Sequence, residues 1–69
     1  MDKSNLIKMA NDIGSFFKSE PDRTLAIQGI EQHLRNFWEP RMRKQIVEYV
    51  EKGGADLMDI VEEAVRKLA

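Results

Sequence analysis

The sequence predicts an all-α fold, a compact bundle of three to four short helices, and three observations carry that reading. Apolar residues recur at helical spacing through four successive segments. The two prolines and four glycines fall mostly where those segments end, at Pro21, Pro40 and Gly53-Gly54. No segment shows the strict alternation or the β-branched enrichment of a strand. Repeats, low-complexity tracts and linkers are not visible, so residues 1–69 are expected to fold as one helical domain.

The first helix is expected over about residues 4–18. Leu6, Met9, Ala10, Ile13, Phe16 and Phe17 share its apolar side, Lys8, Asp12 and Ser15 the other, with Ser4 as N-cap. The break follows at Ser19-Glu20-Pro21-Asp22, because proline is tolerated only in the first turn of a helix and restricts the residue before it. A second helix over about 22–37 places Ala26, Ile27, Ile30, Leu34 and Phe37 inward and pairs Glu31 with Arg35 one turn on. Pro40 would clash with the carbonyl four residues back if that helix continued, yet suits the first position of the next. The third helix, about 40–52, turns Met42, Ile46, Tyr49 and Val50 inward and stops at Gly53-Gly54, where a left-handed C-cap is cheap. The fourth, about 56–68, has Asp56 as N-cap, Leu57, Ile60, Val61, Ala64, Val65 and Leu68 in register, and the pairs Glu62 to Arg66 and Glu63 to Lys67 outside.

A chain this short buries only about 60% of the surface its unfolded form exposes, so its stability is expected to be modest and a partner surface would add to it. Cysteine is absent, which removes disulfides and thiolate ligation of zinc or iron-sulfur clusters; the single histidine makes no metal-binding cluster. With no Gly-rich phosphate loop and no nucleophile elbow, the chain is read as a non-enzyme with no catalytic residues, no metal ligands and no cofactor of its own. The amino terminus lacks a signal peptide's apolar run and no stretch approaches the roughly 18 apolar residues of a membrane span, so a cytoplasmic protein is expected. A formal net charge of −1 provides no global attraction to nucleic acid or to an anionic membrane.

One segment breaks the local rules. Arg41, Arg43 and Lys44 occupy the first turns of the third helix, whose dipole repels cations. Together with the free backbone N–H groups of that turn they are candidates for holding a phosphate or a partner's carboxylates; alternatively, Glu39 and Glu48 neutralise them as ordinary solvated surface. Trp38 stands beside this corner as a candidate interface anchor, with Phe37 assigned to the core. His33 falls at the edge of the apolar stripe, a packed boundary residue or, less favoured, a ligand. Gly29 in a helix interior costs about 1 kcal/mol relative to alanine, which points to a close approach by another backbone or a partner. The methionines and Phe16-Phe17 read as core, and Asp59, Glu62 and Glu63 as solvated surface.

Three strings, Met9-Ala10-Asn11-Asp12-Ile13-Gly14-Ser15-Phe16-Phe17, Ile30 to His33, and Phe37-Trp38-Glu39-Pro40-Arg41-Met42-Arg43, give the chain a resemblance. Between about Leu6 and Gly54 it resembles the delta subunit of NAD-dependent, molybdenum-containing formate dehydrogenase. That resemblance implies a cytoplasmic complex that oxidises formate to carbon dioxide. Its larger subunits would carry the molybdenum bis-pterin guanine dinucleotide, iron-sulfur clusters, FMN and NAD. It also implies a partner, the catalytic (alpha) subunit, and a role in that subunit's assembly or cofactor maturation. Two functions follow: an accessory subunit docking through Trp38, Arg41, Arg43 and Lys44, or a maturation chaperone whose arginines grip the pterin dinucleotide's pyrophosphate. A small helical nucleic-acid binder fits the helix count but not the charge.

Overall fold

Caps and prolines divide the chain into α1 (Lys3–Phe17), α2 (Arg23–Phe37), α3 (Pro40–Glu51) and α4 (Asp59–Arg66), in a computed structural model that describes residues 2–69. Among the described residues there is no strand, and the all-α bundle predicted from the periodicity is what forms. The N-cap of α1 is Asp2, not Ser4: its carboxylate accepts the Ser4 N–H at 3.2 Å, so the helix starts at Lys3, two residues earlier than a Ser4 cap would set it. Asp22 caps α2 in the same way, accepting the N–H groups of Thr24 and Leu25 at 2.9 and 3.3 Å. Pro40 takes the first position of α3, as its fixed φ favours. The C-terminus of α3 closes as a Schellman motif: Gly54 N–H reaches the Tyr49 carbonyl at 3.1 Å and Gly53 N–H the Val50 carbonyl at 3.0 Å. Gly53 sits at φ +126° and Gly54 at φ +62°.

The fourth helix departs from expectation. Asp56 is not a cap; it lies in the left-handed region at φ 71°, and α4 starts only at Asp59 and ends at Arg66. The start is fixed from outside the helix. Asn11 of α1 donates its amide to the Asp56 carbonyl at 2.8 Å and accepts the Met58 N–H at 3.0 Å, while the Tyr49 hydroxyl donates to the Ala55 carbonyl at 2.6 Å. A side chain distant in sequence thus satisfies the N–H that a local cap leaves open.

Phe17 lies over Gly29 and Ile13 lies beside His33, so α1 and α2 run antiparallel. α4 packs against all three other helices, and the core gathers around it: Leu6, Ala10, Ile27, Ile30, Leu34, Trp38, Ile46, Val50, Leu57, Val61, Ala64 and Val65. Gly14 is buried where α1 meets α4. A Cβ there would overlap the Val61 side chain and lie 2.9 Å from Met58 Sδ, so glycine sets how closely the two helices approach. At Gly29 a Cβ would come within 2.5 Å of the Phe17 ring. The close approach expected there is made by an aromatic side chain of the same molecule.

Candidate docking surface

The cationic corner looks different once the chain is folded. Trp38, expected as an exposed anchor, is 6% exposed and belongs to the core, while Phe37, expected inside, is 73% exposed. The reason is the end of α2. Phe37 is its last residue, whereas Trp38 has extended backbone at φ −90°, ψ 141°, and its side chain swings out of helical register.

Arg43 is half-buried, and its Nη1 donates to the carbonyls of Leu34 (3.4 Å), Arg35 (3.2 Å) and Trp38. These are carbonyls at the negative end of α2's dipole, of which Leu34's also accepts the Trp38 N–H at 3.1 Å. The repulsion of a cation at the start of α3 is therefore offset by attraction to the end of α2. Arg35 acts alike, donating Nη2 to the Lys67 carbonyl at 2.9 Å and Nε to Glu31 at 3.0 Å.

Arg41 and Lys44 remain exposed. Among the described residues neither pairs with a carboxylate within 4 Å. His33 is half-buried and stacks on Phe37, ring centroids 4.8 Å apart at 39°.

A second surface stands out that the residue pattern had assigned to the core. Phe16 is 77% exposed and meets Phe17 edge-on, centroids 5.1 Å apart. Asp12, Ile13, Phe16, Phe17 and His33 line a shallow depression of about 310 Å³ between α1 and α2, and Phe37 continues the apolar surface past His33. Helical geometry accounts for this. At about 100° per residue, the apolar stripe of α1 runs some 160° from Phe16 and Met9 through Ile13, Leu6 and Phe17 to Ala10 and Gly14. A neighbour on each of two sides covers the Leu6–Ala10–Gly14 edge and the middle, leaving Phe16 and Met9 uncovered. The width of the stripe was the available signal, together with the unexplained Gly29.

Most charged residues of α2 and α4 lie elsewhere in ion pairs: Arg23 with Glu63 at 3.2 Å, Arg35 with Glu31 at 3.0 Å, Arg66 with Glu62 at 2.7 Å. A further depression lined by Lys3, Gln45, Glu48, Tyr49 and Lys52 contains the one buried side-chain polar atom without a partner among the described residues, Gln45 Oε1. Among the described residues no three His, Cys, Asp or Glu side chains converge as metal ligands, and no helix is long and apolar enough to cross a membrane.

A family profile described as the NADH-dependent formate dehydrogenase delta subunit, FdsD, matches residues 5–65, nearly the whole chain and including all of α2 and α3. No curated protein and no solved structure gives a significant match. With every core residue from Leu6 to Val65 inside that match, the chain belongs to the NADH-dependent formate dehydrogenase delta subunit family.

Proposed function

We propose that this chain is a non-catalytic accessory subunit of a cytoplasmic NAD-dependent formate dehydrogenase. It docks on the catalytic (alpha) subunit and supports assembly of that subunit or maturation of its molybdenum cofactor. The observation that carries the reading is the apolar surface of α1 and α2, where Phe16 and Phe37 are more than two-thirds exposed in a chain whose core is otherwise closed. Small monomeric domains seldom leave large aromatic side chains in water on one contiguous face unless a partner covers them. A subunit that binds only the folded form of its partner stabilises it by mass action.

The molybdenum, iron-sulfur, FMN and NAD groups are assigned to the larger subunits. Without cysteine the chain offers no thiolate to an iron-sulfur cluster, and among its described residues no three His, Cys, Asp or Glu side chains converge as metal ligands. Direct grip of the pterin dinucleotide is the weaker reading. It draws on Trp38 as a stacking platform and Arg43 as a phosphate ligand, and both side chains are engaged within the fold.

The test is to produce the large subunits with and without this chain and to compare the yield of assembled complex and its molybdenum content. Both are expected to fall without the chain and to recover when it is supplied. Equal assembly and equal loading in its absence would overturn the accessory role.

A further inference from the structure

Two features of the α1–α2 face restrict what can cover it. The first is charge. A third of the residues of this chain are charged, yet the line Leu25, Gly29, Gln32, His33, Asn36 and Phe37 runs the length of α2 without a Lys, Arg, Asp or Glu. On the α1 side one charged residue, Asp12, borders the depression, and its carboxylate is already paired with Lys8 at 3.2 Å. A charge brought onto this face by a partner would lose water without gaining a counter-charge, which disfavours binding. The second is shape. Phe16 and Phe37 stand out beside a depression of about 310 Å³ between two antiparallel helices. That is the form of a groove that takes an apolar side chain carried on a helix.

We infer that the face of α1 and α2 centred on Phe16, His33 and Phe37 is covered by an uncharged, apolar helical segment of a large subunit of the formate dehydrogenase, one of whose side chains enters the depression beside Ile13. This rests on the accessory-subunit reading and specifies its interface. The chain belongs to a family of enzyme subunits, so a subunit of the complex, not a second copy, is the assigned occupant. Nucleic acid and an anionic membrane surface are excluded by their charge.

The experiment uses the full chain co-produced with the large subunits. Gln32 is exposed and lies midway along α2 at the solvent edge of the uncharged line, so Gln32→Glu and Gln32→Lys each place one charge on the face without touching the core. Phe16→Ser with Phe37→Ser removes the protruding rings. The expected result is that both Gln32 variants and the double variant weaken co-purification with the large subunit at least tenfold. Thermal unfolding of each isolated variant is expected to match or exceed wild type.

If Gln32→Lys binds as well as wild type while Gln32→Glu does not, the occupant is acidic and the inference is wrong. If all three variants bind as wild type, the face is not the interface, although the accessory role stands. Loss of wild-type co-purification would instead overturn the accessory role. Sedimentation showing that the isolated wild-type chain is a dimer, broken by the same substitutions, would assign the face to a second copy and overturn the inference.

Discussion

Replacing Arg43 with alanine removes a side chain that ties the start of α3 to the end of α2. Its Nη1 is shared among the carbonyls of Leu34, Arg35 and Trp38, so the loss is that of one well-used charged hydrogen bond rather than three, about 2 kcal/mol. The attraction of the guanidinium to the α2 C-terminus adds about 0.5 kcal/mol, and relief of repulsion at the α3 N-terminus returns a few tenths. A net destabilisation of about 2 kcal/mol corresponds to a fall in melting temperature of roughly 8–16 °C for a domain of this size. Arg41→Ala, two residues earlier and exposed, is expected to stay within about 0.5 kcal/mol of wild type. Arg43→Lys should recover part of the loss, because an ammonium is a point donor and does not match the fork of a guanidinium. Thermal unfolding of the isolated chain, followed by circular dichroism, measures all three. If Arg43→Ala melts with wild type, the interhelical cap contributes nothing and Arg43 returns to the set of surface cations available to a partner.

Gly14→Ala should destabilise by about 1–3 kcal/mol in chemical denaturation, because the new methyl meets the fully buried Val61 and the half-buried Met58 where α1 crosses α4. Gly29→Ala gains about 1 kcal/mol of helix propensity but displaces the half-exposed Phe17 ring; thermal melts are expected to change little while binding to the large subunit weakens, and a large drop in melting temperature would show that Phe17 is structural. Asn11→Ala strips the Met58 N–H of its acceptor and the Asp56 carbonyl of its donor, and should cost about 1–3 kcal/mol. Amide hydrogen exchange would then rise first at the start of α4, and uniform acceleration across the chain would contradict the local role.

Much of the fold was legible because its signals are local. Pro21 and Pro40 mark the two breaks, Gly53-Gly54 closes α3 with positive φ at both residues, and the starts of α2 and α3 fall within a residue of their expected positions. The start of α4 was not legible. Asp56 has the composition of a cap but sits at φ 71°, and the hydrogen bonds that set the helix come from Asn11, 45 and 47 residues away in sequence.

The candidate surface was half legible for a similar reason. Helical angle gives the direction of a side chain only inside a helix, and Trp38 lies one residue beyond one. Nor does an apolar stripe say which part of it a neighbour covers, which is why Phe16 and Phe37 read as core. In the sequence Arg43 is a cation misplaced at a helix N-terminus; the C-terminus packed beside it, which offsets the repulsion, is a tertiary fact.

The central claim, that this chain works by binding a large subunit, is tested most directly by producing it with an affinity tag together with the formate dehydrogenase subunits and measuring the mass and composition of what elutes. The expected eluate is a complex containing the catalytic subunit and this chain at fixed stoichiometry. Elution of the tagged chain alone, beside a fully assembled and active enzyme that lacks it, would rule out a role through binding.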